Sequence, residues 1–113
     1  MNIKTEVISH REEIIDMLTS RMAVALEKIG IAGENNAKFE INALGAVDTG
    51  NLMNSISHTS DGVHAYIGTN VEYAPYVELG TSHHPEERPF LRNAVLDYVD
   101  EYKGIVEDTL RHG

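Results

Sequence analysis

The apolar positions near the start of the chain follow the periodicity of an α-helix. From Ile3 to about Ile31 they recur at intervals of three, four or seven residues, which keeps them on one helical face. Gly30 and Gly33 then predict the end of the helix, because glycine is common just past a helix C-terminus. Charged residues on the opposite face are interpreted as solvated. The apolar face consists of Ile3, Val7, Ile14, Leu18, Met22, Ala25 and Ile29.

Residues 34–46 fit two structures. Phe39 and Ile41 alternate with polar neighbours, as in a half-buried strand. Ala37, Ile41 and Leu44 instead have the spacing of a short helix. We favour the strand.

A turn and a short helix are predicted next. Residues 48–51 read Asp-Thr-Gly-Asn, a composition typical of turns. The side chain of Asp48 or Thr49 can cap the free N–H groups of a short helix that continues through Leu52 and Ile56.

A β-hairpin is predicted in the middle of the chain. The segments Ser55–Ser60 and Val63–Thr69 flank the dipeptide Asp61-Gly62. That dipeptide accommodates the positive φ angles of a tight turn between antiparallel strands.

The segment after the hairpin predicts a short helix or turn followed by a loop. Val71–Leu79 is mostly apolar but contains Pro75, which removes a backbone donor and argues against a long regular helix. Gly80–Glu87 has few apolar residues and predicts an exposed loop.

The last part of the chain predicts a long helix from Pro89 to Arg111, since proline is favoured in a first helical turn. At about 1.5 Å per residue this helix would be about 35 Å long, more than a core of this size requires. We therefore expect part of it, with Tyr98 and Tyr102 as candidates, to pack on another subunit. Its apolar stripe is Leu91, Val95, Tyr98, Tyr102, Ile105 or Val106, and Leu110.

These elements predict an α+β fold. It comprises a long N-terminal helix, a small antiparallel sheet with a hairpin, a short helix and a long C-terminal helix. With 113 residues, of which 42% are hydrophobic, the chain fits a single domain spanning residues 1–113.

Composition narrows the possible partners. Nine basic and 18 acidic residues give a net charge of −9, which disfavours binding to nucleic acid or to an anionic membrane. The longest apolar run, Met22–Leu26, is too short to predict a transmembrane helix, and the first residues do not predict a secretory signal. The absence of cysteine excludes disulfides and thiolate metal sites.

Asp48-Thr49-Gly50 also matches the tripeptide that holds the catalytic carboxylate of aspartic proteases. Such enzymes need two carboxylates that share a proton, a glycine-rich flap, and an apolar-Gly segment well downstream. Tyr66-Ile67-Gly68 follows too closely, with no flap between them. A capped turn is the favoured interpretation, and a dimeric protease is kept as a minor alternative.

A metal site is also disfavoured. His83, His84, Glu86 and Glu87 carry suitable ligand atoms, but neighbouring side chains on one loop seldom converge on an ion. We predict no catalytic, cofactor-binding or metal-binding residue.

Three segments occur in a characteristic order in the second half of the chain. Residues 47–56 read Val-Asp-Thr-Gly-Asn-Leu and end in Ser-Ile, and residues 68–81 read Gly-Thr-Asn-Val-Glu-Tyr-Ala-Pro-Tyr-Val-Glu-Leu-Gly-Thr. Residues 88–94 begin Arg-Pro-Phe-Leu and end in Ala. Together they resemble the tail-completion or head-tail joining proteins of long-tailed bacteriophages, which are small neck proteins also described as minor structural proteins. The resemblance covers residues 47–94, a little under half of the chain.

This resemblance implies a non-enzymatic α+β subunit in a homo-oligomeric ring, such as a hexamer, between the head connector and the tail tube. DNA would only pass through the bore, with no specific nucleic-acid binding, no membrane contact and no cofactor. The protein would assemble in the bacterial host cytoplasm and reside in the virion at the head-tail junction. A host-side protein-interaction module is the alternative.

The resemblance also implies structural roles for the motif residues. The first motif would fix the turn before the sheet, and the second would form a short helical segment that ends at Gly80. Glu78 would pair with Arg88, and Phe90 and Leu91 would anchor the last helix to the sheet. The complete set is Asp48, Thr49, Gly50, Leu52, Ser55, Ile56, Tyr73, Ala74, Tyr76, Glu78, Gly80, Arg88, Pro89, Phe90 and Leu91.

The chain departs from the family pattern in two places. Ala46 stands where the family often has proline, which leaves the approach to the first motif less constrained. The loop at residues 80–88 holds two histidines and two glutamates where the family is commonly basic. This difference bears on the partner surface that the loop meets and on its pH sensitivity.

Overall fold

The computed structural model describes residues 10–44, 49–80 and 89–113. Within these ranges, the first helix is far longer than the other helices. In order, the elements are α1 (Arg11–Leu44), α2 (Thr49–Ser55), β1 (Ser57–Ser60), β2 (Ala65–Gly68), α3 (Ala74–Leu79), α4 (Phe90–Leu96) and α5 (Val99–His112). This is the predicted α+β arrangement: a long N-terminal helix, a small antiparallel sheet, a short helix and C-terminal helical structure.

The long helix α1 does not end at Gly30 and Gly33, so the predicted stop was wrong. Both glycines lie on the helix face that meets the hairpin. A Cβ atom at position 30 would lie 2.8 Å from Cδ2 of His58, and one at position 33 would lie 3.0 Å from Cγ2 of Ile67. These glycines therefore permit close packing of the hairpin on a continuous helix. The predicted beginning of the helix, at Ile3, lies outside the described residues.

The strand favoured within residues 34–46 was also wrong, because α1 continues to Leu44. Ala37 and Ile41, which are four residues apart, are both buried, whereas Phe39 is 64% exposed. Helical spacing thus explains the burial pattern, as the alternative prediction proposed.

The hairpin is confirmed, with shorter strands than predicted. β1 and β2 are antiparallel, and Ser57 pairs with Gly68 at the open end. The turn contains Gly62 at φ +87°, and the Asp61 carboxylate accepts hydrogen bonds from the backbone N–H groups of Val63 and His64. The Asp-Gly dipeptide therefore supplies both the backbone freedom and the side-chain acceptor that the turn requires.

The predicted single final helix is two helices, α4 and α5. Tyr98 has φ −118° and ψ 21°, which lies outside helical geometry and separates the two. Both helices pack on α1. α5 runs antiparallel to α1, since Tyr98 at its beginning contacts Glu40 and Leu110 near its end contacts Arg21.

The main core lies where α1, α2, α3 and α4 meet. Phe90 is its largest fully buried side chain, and Met53, Ile67, Val71, Tyr73, Val77 and Leu91 pack around the periphery. The buried members are Ala37, Ile41, Leu52, Ile56, Ala74, Phe90 and Ala94. None of the helices in the described part of the chain is long and apolar enough to cross a membrane.

Two glycine substitutions test the role of close packing. Gly104, on α5, has no atom within 4 Å of its Cβ position. Gly104→Ala is therefore expected to raise the free energy of unfolding by about 0.5–1 kcal/mol, because alanine favours the helix. Gly30→Ala gains the same helix propensity, but its methyl group displaces the His58 ring. We therefore expect this substitution to lower the free energy of unfolding. Urea unfolding of both variants measures the difference, and equal stabilisation by both would contradict the packing role of Gly30.

Candidate functional site

The first motif lies at the entry to the core. Its Asp48 is outside the described residues, and Thr49 begins α2. Leu52 and Ile56 are buried in the core. The Ser55 hydroxyl donates a hydrogen bond of 2.6 Å to the backbone oxygen of Leu52, and it lies 2.5 Å from the Thr69 hydroxyl.

The Thr69 hydroxyl joins the first motif to the second. Thr69 Oγ1 accepts a hydrogen bond of 3.1 Å from the backbone N–H of Val71. With its contact to the Ser55 hydroxyl, it links the end of α2 to the segment that leads into α3. Hydrogen bonds between uncharged groups therefore hold the segment before α3 in place.

The second motif forms α3, as predicted for the short helix around Pro75. Ala74 is buried, Tyr76 is 63% exposed, and Pro75 lies in the first turn. The Tyr73 hydroxyl accepts a hydrogen bond from Asn51 Nδ2 at 3.3 Å. Gly80 follows the last residue of the helix at φ +80°, a backbone conformation that glycine adopts readily.

Glu78 connects the second motif to the third. Its Oε1 accepts a hydrogen bond of 2.7 Å from the backbone N–H of Leu91, one of the unpaired donors in the first turn of α4. Arg88, the partner expected for Glu78, lies outside the described residues. The carboxylate thus caps α4 across the gap between the two motifs.

The third motif anchors α4 in the core. Pro89 occupies the position just before the helix, and Phe90 is completely buried. The core that holds Phe90 is mostly helical, and Ile67 of β2 packs at its edge; the expected anchor of Phe90 and Leu91 to the sheet stays a prediction. The described parts of the three motifs therefore converge on one core.

Tyr98 and Tyr102 make hydrogen bonds that join α4 and α5 to α1 within the same chain. The Tyr98 hydroxyl donates to Glu40 Oε1 at 3.0 Å. The Tyr102 hydroxyl donates to the backbone oxygen of Ala94 and accepts from Asn36 Nδ2 at 3.1 Å. Desolvation raises the pKa of both phenols, assisted at Tyr98 by Glu40. The subunit interface expected at these tyrosines stays a prediction.

His58 forms a polar clamp between the hairpin and α1. Its Nε2 lies 2.7 Å from Glu27 Oε1, and its Nδ1 lies 3.3 Å from Glu34 Oε1. Ser60 Oγ donates to the second oxygen of Glu27 at 2.9 Å. Because both ring nitrogens face carboxylates, the geometry suits the imidazolium, which donates from both.

The clamp changes the titration of its members. Hydrogen bonds to Glu27 and Glu34 raise the pKa of His58. The hydrogen bond from His58 lowers the pKa of Glu27. Burial opposes a lower pKa at Glu34, but its hydrogen bonds with His58 and Lys38 outweigh it and hold the pKa below its ordinary value.

Sequence reasoning missed this clamp. From the sequence, His58 had no assigned role, and the charged face of the first helix, which includes Glu27, was interpreted as solvated. The sequence signal for the clamp was the spacing of Glu27, Gly30 and Glu34. This spacing places one acid before and one acid after a glycine along the same side of α1. That spacing acquires meaning only when the hairpin is known to pack there.

No group of three or more histidine, aspartate or glutamate side chains is arranged to hold a metal ion among residues 10–44, 49–80 and 89–113. His83, His84, Glu86 and Glu87, which were weighed as ligands, lie outside these ranges.

Two apolar surfaces are exposed within the part of the chain that the structure describes. The first, named the arm, consists of Ile14, Ile15, Met17 and Leu18 on the first turns of α1, each between 36% and 49% exposed. The second, named the groove, has a volume of about 400 Å³ between α1, α4 and α5. It is lined by Ile29, Val95, Val99, Tyr102, Lys103, Val106 and Glu107. Both surfaces have the apolar character of protein-protein contacts.

Comparison with protein-family models, curated proteins and solved structures found no match. The resemblance carried by the three motifs therefore stands as a prediction from sequence.

The clamp predicts a characteristic pH dependence of stability. The raised pKa of His58 means that its contribution is complete below about pH 6.5 and is lost as pH rises through the folded-state pKa. The lowered pKa values of Glu27 and Glu34 mean that their contributions are complete above about pH 4.5 and are lost as pH falls through the folded-state values. The clamp should therefore stabilise the fold most between about pH 4.5 and 6.5.

Comparison of the native chain with His58→Gln measures this contribution. We expect their difference in unfolding free energy to be largest in the mildly acidic range and to shrink towards alkaline pH. An NMR titration of the imidazole provides an independent reading. A His58 pKa at or below that of a free histidine would contradict the clamp.

Proposed function

We propose that this protein is a non-enzymatic structural component of a bacteriophage or prophage that joins the head to the tail. The observation that carries the proposal is the convergence of three ordered motifs on one core. Leu52, Ala74 and Phe90, one from each motif, are all buried in that core. Residues that resemble the neck-protein pattern thus serve packing rather than lining a reaction site.

The arrangement at the first motif favours a structural role over a protease. An aspartic protease holds each catalytic carboxylate in a β-loop, with a second carboxylate opposite it. Here the residues directly after Asp48 form the helix α2, from Thr49 to Ser55. Aspartate and threonine are favoured at the residue that begins a helix, where their side chains act as caps.

Assembly into a ring is supported by the apolar surfaces that are exposed among the described residues. The arm and the groove lie on different parts of the subunit, and a ring requires each copy to offer different surfaces to its two neighbours. In this proposal the ring sits between the head connector and the tail tube, in a virion assembled in the host cytoplasm.

The acidic charge fits a conduit for DNA. A net charge of −9 opposes attachment to a phosphate backbone, so DNA would slide through the bore without specific binding. The same charge gives no attraction to an anionic membrane.

Electron microscopy of the full chain with connector and tail-tube proteins encoded in the same genome tests the proposal. We expect rings with a central hole, or connectors that gain a layer. Asp48→Asn should assemble equally well, because asparagine is also a good cap. An unrelated acidic protein of similar size serves as the binding control.

Two results would contradict the head-tail role. The first is failure of the native chain to bind either partner, which would favour a host-side interaction module. The second is proteolytic activity that Asp48→Asn abolishes, which would favour the aspartic protease.

A further inference from the structure

We propose that the Asp61-Gly62 dipeptide in the hairpin turn is a site of covalent self-modification, at which aspartate converts to isoaspartate through a cyclic imide. The reacting groups are the side-chain carboxyl of Asp61 and the backbone nitrogen of Gly62, and water is the only co-reactant. This inference goes beyond the proposed function and does not depend on the head-tail role.

The dipeptide is unique in the chain. Asp61-Gly62 is its only Asp-Gly pair, and the chain contains no Asn-Gly pair. Imide formation brings the backbone nitrogen of the following residue against the carboxyl carbon of aspartate, and a side chain on that following residue hinders the approach. Because glycine has no side chain, Asp61 is the aspartate of this sequence with the least hindered neighbour.

The backbone nitrogen of Gly62 is accessible. The Asp61 N–H donates to the backbone oxygen of His64 at 3.1 Å, and the N–H groups of Val63 and His64 donate to the Asp61 carboxylate. Among the described residues, the Gly62 N–H makes no hydrogen bond. Apart from its chain neighbours, no described atom lies within 4 Å of the Cβ position of Gly62. The attacking nitrogen is therefore neither hydrogen-bonded nor crowded.

The Asp61 carboxyl is held beside this nitrogen and is open to water. Its side chain is 52% exposed. Oδ1 accepts hydrogen bonds from the N–H groups of Val63 at 2.9 Å and His64 at 2.6 Å, and Oδ2 lies 3.3 Å from Nδ1 of His64. The backbone thus holds Oδ1, which would remain as the imide oxygen, and Oδ2 is the oxygen that would leave.

The reaction balances without an oxidant or a reductant. The Gly62 nitrogen bonds to Cγ of Asp61 while the Cγ–Oδ2 bond breaks, and Oδ2 leaves as water with the Gly62 N–H proton and the carboxyl proton. Water then opens the five-membered ring. Attack at Cγ restores aspartate, whereas attack at the main-chain carbonyl carbon of residue 61 gives isoaspartate. One water is lost and one is gained, so the product has the mass of the original chain.

The turn also slows this reaction. Hydrogen bonds from the backbone N–H groups of His64 and Val63 lower the pKa of Asp61 and so keep its carboxyl ionised. The protonated carboxyl is the form that loses water to the imide. We therefore expect the folded chain to convert more slowly at Asp61 than the same chain unfolded in urea.

Two exposed helical aspartates provide an internal comparison. Asp16 lies within α1 and Asp108 within α5, and both are exposed. The residues that follow them, Met17 and Thr109, carry side chains, and their N–H groups belong to the hydrogen-bond ladder of a helix. Exposure is thus shared with Asp61, and the state of the following nitrogen is what differs.

Conversion at Asp61 would weaken the attachment of the hairpin. Isoaspartate adds one carbon atom to the backbone and moves the carboxylate onto Cα, which displaces the acceptor for the N–H groups of Val63 and His64. The preceding residue, Ser60, donates to Glu27 of α1 at 2.9 Å. The altered backbone therefore adjoins the polar clamp, and we expect the converted chain to be less stable.

Peptide mapping of the stored full chain tests the site. The folded chain is kept in neutral buffer at physiological temperature for several weeks, and a second sample is kept in urea. Electron-transfer mass spectrometry then distinguishes isoaspartate from aspartate. In the folded sample we expect isoaspartate at position 61 to exceed that at Asp16 and Asp108 by at least an order of magnitude. A species lighter by one water at Asp61-Gly62 would support the imide intermediate.

Two variants are matched controls for the effect on stability. Asp61→Glu keeps the negative charge, but its longer side chain would have to close a six-membered ring, which forms far more slowly. Asp61→Ser keeps a weaker acceptor for the turn and cannot form an imide. Circular dichroism establishes that each variant is folded. We expect storage to lower the urea midpoint of the native fraction that contains isoaspartate and to leave both variants unchanged.

Two outcomes would overturn the inference. One is isoaspartate at position 61 of the folded chain that does not exceed the amounts at Asp16 and Asp108, while the sample in urea converts at position 61. The other is a loss of stability on storage that is equal in the native chain and in Asp61→Glu, which would remove the effect on the hairpin. Neither outcome bears on binding to a connector or a tail tube.

Discussion

The close approach of the hairpin to α1 is the constraint on which the rest of the structure depends. Gly30 and Gly33 present almost no side-chain volume, so His58 and Ile67 lie directly against the helix backbone. With the hairpin in this place, α5 occupies the neighbouring side of α1, where Tyr102 contacts Asn36. The groove is the space left beside these elements, and its position follows from their packing.

The long helix α1 has a packed part and an exposed part. From Arg21 onward it is packed against the hairpin, α2, α4 and α5, and this part carries the polar clamp at Glu27 and Glu34. Its first turns are apolar on one face and exposed. The described chain thus combines a packed body with an exposed apolar surface. That combination is suited to assembly, since the body keeps its shape while the surface meets a neighbour.

Local sequence patterns predicted some elements correctly and others wrongly. The hairpin was predictable because Asp61-Gly62 encodes its turn within the dipeptide itself. The end of α1 was not predictable in this way. A glycine can mark the end of a helix or permit close packing inside a helix, and only tertiary contacts decide between these two roles. The break at Tyr98 carries no proline or glycine signal, and the His58 clamp joins residues far apart in sequence. The three motifs implied structural roles for Leu52, Ala74 and Phe90, and their burial in one core emerged only from the structure.

A distance between the two ends of α1 tests the continuous helix most directly. Because the chain lacks cysteine, Asp16→Cys and Asn42→Cys allow a pair of spin labels on exposed helix positions. A continuous helix predicts a narrow distribution centred near a backbone separation of about 39 Å. A much shorter or broad distribution would show that α1 ends or bends at Gly30 and Gly33, and would contradict the account.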